Sequence, residues 1–430
     1  MNNAFLKSYE ALKQVYSDRA FSTIALNATL KFCKQQDKAL ITKIVYGVLD
    51  NDIKLDYVIS RHVKKMPKGD ALLFLKIGAY CLMDLSIPVY TVVNDVAELS
   101  KISEDRRIVG FVNATLKSIA QNIKNFDDYP TDPIQRLSVE YSYPEWALRK
   151  LIKDYGMDVA TKIVTQPCDN RTTVRFSHKT DAETVSKKYG VEAQPSPFDD
   201  AFFVRGNLPN DNGDYTVQSL SSMAVARICA NLLKDGDSFI DCCAAPGGKS
   251  VYVKQLNPSV KVVSCDVHQH RVELINSYAK RMGVELETHC VDNSWPPKEG
   301  VDDFIRAFDV VLCDVPCSGF GVLNNRPDVK LFRENKDISD LMRLQYSILQ
   351  NCWTYVKPGG YLVYSTCTVF DNENGQNIRK FLNEHWSMNY GVIDLPQFPD
   401  ANGKGFYQFL PYKDGVQGFF VAVLKEEEDY

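Results

Sequence analysis

Cys317, in Asp314-Val315-Pro316-Cys317, and Cys367, in Ser365-Thr366-Cys367, are the residues of this chain best suited to making and breaking bonds. Each follows an apolar run that reads as a strand, Asp309 to Cys313 and Tyr361 to Tyr364, so each thiol should stand near a strand tip. A thiolate is a strong nucleophile, but an ordinary thiol, with a pKa of about 8.5, is only a few per cent ionised at neutral pH. Two thiols in one place could divide attack and release between them. Both lie downstream of a glycine turn, Asp241-Cys242-Cys243-Ala244-Ala245-Pro246-Gly247-Gly248-Lys249-Ser250. A cofactor loop followed by two thiols at strand tips points to covalent chemistry on a bound substrate.

The loop itself excludes two ligand classes. A P-loop needs G-x-x-x-x-G-K-[ST], and Gly248-Lys249-Ser250 supplies only its end, because Cys243 stands at the first position. The dinucleotide fingerprint G-x-G-x-x-G is absent. A smaller nucleoside cofactor fits better. Gly247 and Gly248 let backbone approach a ligand, and the helix that follows offers free N–H groups to an anion such as a carboxylate. Asp266 closes the next strand, where an acidic residue about 20 residues on takes ribose hydroxyls. Asp292 follows a third strand-like run ending at Cys290, a usual place for an adenine contact. Either Asp alone could be a helix cap.

Cys243-Ala244-Ala245-Pro246-Gly247-Gly248-Lys249, Asp314-Val315-Pro316-Cys317-Ser318-Gly319 and Ser365-Thr366-Cys367 together resemble the RNA cytosine-5 methyltransferases that use S-adenosylmethionine. In the front part, Val45-Tyr46-Gly47-Val48-Leu49, Gly78-Ala79-Tyr80 and Gly110-Phe111-Val112-Asn113-Ala114 resemble the NusB-type domain of the RsmB (Sun, Fmu) 16S rRNA enzymes. The resemblance covers nearly the whole chain and is weakest from about 170 to 210. It implies that residues Cys243 to Lys249, with Asp266, Arg271, Asp292 and Asp314, surround S-adenosylmethionine. It also implies that Cys367 attacks and Cys317 assists release; spacing alone leaves that choice open, and DNA cytosine-5 enzymes use the Pro-Cys thiol. Asn324-Asn325 depart from the family's two basic residues before Pro327-Asp328, although Arg326 remains. Val315 and Phe320 also depart from the pattern around the Pro-Cys motif.

The chemistry explains these residue types. Carbon 5 of cytosine is a poor nucleophile until a thiolate adds to carbon 6 and turns the ring into an enamine. Asp314, three residues before Cys317, is placed to act at N3 of the base, and such help is worth roughly 10²–10⁴-fold. Lys249 could position Asp314 or the base. The cytosine must leave its stack, at a cost of a few kcal/mol in paired RNA.

The elements that must position these groups fall into three parts. Residues 1–125 read as a helical, NusB-like RNA-binding bundle, with apolar residues recurring at three and four, as in Phe5, Tyr9, Leu12 and Ile41, Ile44, Val45, Val48. Residues 126–214 read as linker and helix, then a small α/β subdomain of RNA-recognition-like type, with strands at Thr172 to Ser177 and Ala201 to Arg205 around a helix from Asp181 to Tyr189. That sheet is either a nucleic-acid platform or a spacer. Residues 215–430 alternate apolar strands with helices, which predicts a parallel, doubly wound, Rossmann-like sheet. The tail, Phe406 to Leu410 and Gly418 to Lys425, should form an antiparallel hairpin on one edge. The expected fold class is therefore multidomain: all-α bundle, small α/β subdomain, and α/β methyltransferase domain.

Composition bounds the remaining choices. The chain has 430 residues, 45% hydrophobic and 24% charged, with a net charge of −4, which is ordinary for a soluble globular protein. Charge is unevenly spread: residues 1–125 hold 18 Lys and Arg against 12 Asp and Glu, the rest 32 against 42. A basic front half is compatible with phosphate contacts. No signal-peptide core or membrane-length apolar run is present, so a cytoplasmic protein is expected. Twelve cysteines without a C-x-x-C pair argue against structural zinc, and no metal is expected. A monomer acting on naked 16S rRNA or an early assembly intermediate is expected. The competing readings are a tRNA-directed relative, a DNA enzyme, or a non-catalytic RNA-binding assembly factor. The last would predict loss of a thiol or of Asp314, and all three are kept.

Overall fold

The computed structural model describes residues 3–122, 126–166, 171–206, 208–209, 213–296 and 302–428. Of the expected bundle, residues 1–2 and 123–125 lie outside the described residues, as do 167–170, 207 and 210–212 of the part expected from 126 to 214. The chain forms two compact units, Met1–Thr165 with Leu323–Asn335, and Gln166–Val322 with Lys336–Tyr430. The expected boundary after 125 falls within the first unit, and that after 214 within the second.

The first unit is helical. Helices Asn3–Asp18, Ser22–Leu30, Gln35–Asp50, Asp52–Ser60, Asp70–Asp84, Val89–Leu99 and Arg107–Asn122 lead into Pro133–Glu140, Glu145–Tyr155 and Met157–Thr165. The apolar stripes point inward: Phe5, Leu12, Ile41, Ile44, Val45 and Val48 are all fully buried. Lys76 is a charged exception in this core, 3% exposed, pairing with Asp52 and, at 3.0 Å, with Asp56. The unit also contains a distant stretch of chain, Leu323–Asn335. Leu331 and Phe332 pack against the helical core, Lys330 Nζ donates to the Asp50 carbonyl at 2.8 Å, and the Ser22 hydroxyl donates to buried Asp328. Arg326, the basic residue kept in the family's Pro-Asp stretch, lies over the Phe21 ring at 4.7 Å and 3.7 Å from Asp328.

The second unit has two sheets. The small one orders its strands β2-β3-β1-β4, from β1 (Thr172–Phe176), β2 (Glu192–Pro195), β3 (Ala201–Arg205) and β4 (Tyr215–Val217), all antiparallel. The helix Ala182–Tyr189 covers one face through Val185, against Val174, Phe176, Phe202 and Val204.

The large sheet contains β5 (Ser238–Asp241), β6 (Lys261–Asp266), β7 (Glu287–Cys290), β8 (Phe308–Asp314) and β9 (Val356–Thr366), mutually parallel as expected from their apolar runs. Then β10 (Met388–Tyr390), β11 (Phe406–Phe409) and β12 (Phe419–Glu426) complete it antiparallel, in the order β10-β12-β9-β8-β5-β6-β7 with β11 on β12. The expected hairpin is therefore present. Its second strand is interior, lying between β9 and β10. From β5 the chain proceeds to β6 and β7 on one side, then to β8 and β9 on the other. The switch point, where ligands bind in open α/β sheets, thus lies between β5 and β8.

Candidate active site

The tips of β5 and β8 carry the two groups that straddle this switch point. β5 ends at Asp241, and the loop passes through a cis Ala245-Pro246 peptide to Gly247, where the helix Gly248–Leu256 starts. Gly247 has φ 104°, a left-handed conformation that disfavours any side chain. The turn closes with Gly247 N–H donating to the Ala244 carbonyl at 2.7 Å, and Ala244 N–H ties the loop to the Cys265 carbonyl at 2.8 Å. Buried Asp241 accepts from Ser250 Oγ at 2.8 Å and Cys243 N–H at 3.3 Å. Burial pushes its carboxyl up to about 7, against the lowering pull of Lys249.

This loop fits a nucleoside sulfonium with an amino-acid tail. The N–H groups of Gly248, Lys249 and Ser250 open a helix and have no carbonyl four residues back within it, which suits the carboxylate. Asp266, 4% exposed, stands at the β6 tip; its carboxylate accepts from His268 N–H at 3.2 Å and lies 3.7 Å from Arg271. Asp292 is exposed, and its carboxylate accepts from Ser294 N–H and Oγ at 3.0 and 2.6 Å. Its neighbour Asn293 faces inward: Nδ2 donates to the Cys242 carbonyl at 2.8 Å, and Oδ1 accepts from Tyr355 at 3.0 Å. Asn293 thus links the third strand tip to the loop, a role the sequence reading missed.

Asp314 ends β8 and is held on both carboxylate oxygens. Lys249 Nζ donates to Oδ2 at 2.5 Å, and Ser365 Oγ on β9 donates to Oδ1 at 2.7 Å. Ser365, near the end of β9, is the parallel register partner of Asp314, so strand pairing itself brings the two side chains together. Burial pulls the Lys249 ammonium down, but the charge and hydrogen bond of Asp314 outweigh it and raise the net value. Lys249 Nζ also stands 5.6 Å from the centroid of the Phe419 ring.

The two thiols meet. Cys317 Sγ and Cys367 Sγ are 3.1 Å apart, both half-buried, and Cys367 N–H points to Cys317 Sγ at 3.3 Å. The hydrogen bond to Cys367, reinforced by burial, pushes the Cys317 thiol well up. Cys317 therefore retains its proton, and the 3.1 Å contact lets a proton pass between the two sulfurs.

A buried acid behind the Pro-Cys turn fixes it. Glu373, fully buried, accepts from Ser318 N–H at 2.8 Å, Ser318 Oγ at 2.6 Å and Gln345 Nε2 at 2.9 Å; Gln345 also reaches the Pro316 carbonyl at 3.0 Å. Burial raises the Glu373 carboxyl despite these donors. The sequence reading missed Glu373. Its one signal is an acid six residues past Cys367, inside an otherwise polar turn. Gly321 extends the same support: its N–H donates to the Cys367 carbonyl at 3.0 Å, and its carbonyl accepts from Gly418 N–H at 2.9 Å. A Cβ on Gly321 would fall 1.8 Å from the Gly418 carbonyl oxygen, so this approach requires glycine. Val315 and Phe320, the departures around this turn, are buried, with Phe320 against Phe370 at 4.9 Å.

Three other thiols also converge. Cys242, Cys313 and Cys352 are buried with their sulfurs within 4.8 Å of one another. Linear spacing could not show this, since they come from the β5 tip, β8 and the helix Asn335–Trp353. Burial pushes Cys242 and Cys352 well up, which keeps those two thiols protonated and apolar. Among the described residues no helix is long and apolar enough to cross a membrane.

Comparison with known proteins agrees with this architecture. Residues 230–425 match the family described as 16S rRNA methyltransferase RsmB/F, and residues 5–121 match the NusB family. The chain is 32% identical to the probable ribosomal RNA small subunit methyltransferase B of Bacillus subtilis, over 97% of each. It is 28% identical to the ribosomal RNA small subunit methyltransferase B of Photorhabdus laumondii, over 96% of each. In fold it is similar to the crystal structure of PH0851, with a TM-score of 0.80 and 21% identity over 99% of each chain. It is similar, too, to NSun6 from Pyrococcus horikoshii with SFG (TM-score 0.57, 22% identity), over 67% of this chain and 99% of that one.

Proposed function

The chain belongs to the 16S rRNA methyltransferase RsmB/F family, and from that premise we propose that it methylates carbon 5 of a cytosine in 16S rRNA through a covalent Cys367–carbon 6 adduct. S-adenosylmethionine is the family's cofactor and supplies the methyl group as an electrophile. The loop Cys243–Lys249 with Asp266, Arg271, Asp292 and Asp314 holds it in this reading, and Asn293 braces that loop.

The chain's own residues then do the following. Cys367 gives its proton to solvent and, as the thiolate, forms the S–C6 bond, and the C5–C6 electron pair moves to carbon 5. Asp314, positioned by the hydrogen bond from Lys249, acts at N3, where protonation or hydrogen bonding lets the ring accept the thiolate. After methylation, carbon 5 loses its proton, the pair re-forms the ring double bond, and the S–C6 bond breaks. Cys317 passes its proton to the departing Cys367 sulfur and takes up the proton released from carbon 5, so both thiols end as they began. The fixed turns that hold these groups supply orientation in advance, which lowers the barrier without new bonds. We place the reaction in the cytoplasm, on naked RNA or an early assembly intermediate, with the protein acting as a monomer.

The 3.1 Å contact between Cys317 and Cys367, beside a doubly held Asp314, is the observation that carries this reading. The test is to incubate the purified protein with unmodified 16S rRNA and labelled S-adenosylmethionine, then map the product by bisulfite sequencing. One protected cytosine is expected. Label on a base nitrogen or on ribose would overturn the carbon-5 assignment.

A further inference from the structure

The small sheet carries a cavity of about 540 Å³ lined by Arg171, Thr172, Glu192, Gln194, Phe203 and Arg205. None of these residues belongs to the cofactor loop or the thiol pair. The volume lies within the roughly 300–1,000 Å³ of small-molecule sites. We propose that this cavity binds one unpaired nucleotide of the RNA, stacked on the Arg171 guanidinium. The inference rests on the proposed RNA substrate and adds a second contact point to it.

The argument is the way Arg171 is prepared. Its guanidinium carbon lies 3.7 Å from the Phe203 ring centroid, so one face of the plane is backed by an aromatic ring. Nη1 donates to Gln194 Oε1 at 2.7 Å, which fixes the edge. Gln194 is held in turn, its Nε2 donating to Glu192 Oε1 at 3.1 Å. Arg171 and Arg205 are exposed. A planar cation held flat over an aromatic ring is a surface on which a base stacks, and little side-chain freedom remains to be lost on binding. Arg205 on the same wall offers a charge to the phosphate. Glu192 keeps phosphate from its own side and can accept from an exocyclic amino group. A duplex cannot present a base to such a plane, so the ligand is a single-stranded or flipped nucleotide.

The test uses the full-length protein and a fluorescein-labelled ten-nucleotide single-stranded RNA, read by anisotropy. Arg171→Ala should weaken binding about fivefold or more, the fold-change of roughly 1 kcal/mol or more per stacked base. Arg171→Lys keeps the charge and loses the plane, so it should fail to restore affinity. Phe203→Leu should act in the same direction, with thermal unfolding as the fold control. Affinity of Arg171→Ala within twofold of the parent, or full rescue by Arg171→Lys, overturns the proposal. If the parent methylates 16S rRNA while Arg171→Ala binds the short RNA normally, only this pocket falls. If the parent methylates no rRNA yet loses short-RNA binding on Arg171→Ala, the pocket stands and the enzymatic reading falls.

Discussion

Cys317 is the hydrogen-bond partner of Cys367 twice over, through its sulfur at 3.1 Å and through the Cys367 backbone N–H at 3.3 Å. A group that holds its proton against its neighbour's sulfur is suited to leaving-group protonation. Cys367→Ala should therefore abolish methylation and give no adduct. Cys317→Ala should attack, methylate and stall, leaving protein and RNA joined through denaturing electrophoresis. The double variant should give no adduct. An adduct accumulating in Cys367→Ala but absent in Cys317→Ala would reverse the roles.

Asp266 should matter more to cofactor affinity than Asp292, because its carboxylate is buried at the strand tip while that of Asp292 is exposed and engaged by Ser294. Asp266→Ala should weaken S-adenosylmethionine binding by about 1 kcal/mol, the net worth of hydrogen bonds to a polar ligand. Titration calorimetry decides; equal losses for the two Ala variants would count against the placement.

Asp241 makes stability depend on pH. Its folded pKa, raised by burial to about 7, exceeds its unfolded value, so its favourable contribution is complete below pH 4 and is lost as pH rises to about 7. Asp241→Asn keeps an acceptor for Ser250 and removes the titration. The stability of the parent relative to Asp241→Asn should fall between pH 4 and 7, by roughly 1.4 kcal/mol per unit at most, and level off above. Urea unfolding at several pH values measures it, and a pH-independent difference would sink the prediction.

Glu373→Ala should cost stability and turnover together. The change strands the Ser318 N–H, and a buried unsatisfied donor costs about 1–3 kcal/mol. Because Ser318 adjoins Cys317, kcat should drop as well. A variant with an unchanged unfolding midpoint would show that the turn holds without this acid.

RNA binding by the helical unit is best tested by charge. Deleting residues 1–125 would strip cover from Leu331 and Phe332 as well as remove positive charge. Lys64, Lys65 and Lys68, all exposed, lie in the turn before the helix Asp70–Asp84. Changing all three to Glu should lower rRNA affinity and flatten its dependence on salt, by about 0.7 in slope for each single-strand phosphate no longer neutralised. An unchanged salt slope would remove this turn from the RNA interface.

What was legible in the sequence was contiguous. The loop Cys243–Lys249, the two thiols and Asp314 occupy short segments, and unbroken apolar runs announce β5, β6, β8 and β9. β2 was missed because Glu192–Pro195 is polar and mostly exposed, and β4 because three residues carry no pattern. β9 starts at Val356 rather than Tyr361, because Pro358-Gly359-Gly360 reads as a turn although the strand runs through it. Glu373, Gln345, Asn293 and the three gathered thiols were invisible for one reason: their partners lie on other elements. Leu323–Asn335 was no more readable, since Leu331 and Phe332 stand in a polar stretch whose packing partners come some 300 residues earlier.

A ribosome delivers a chain from its first residue to its last, and this architecture runs against that order. Leu331 and Phe332, which close the helical core, are translated after most of the second unit. β12, the interior strand beside β9, is translated some fifty residues after it. Until it emerges, β9 has an open edge, and Gly321 lacks the Gly418 that anchors the Pro-Cys turn. The Pro-Cys turn therefore gains its last support only when a strand encoded about a hundred residues further on has joined the sheet.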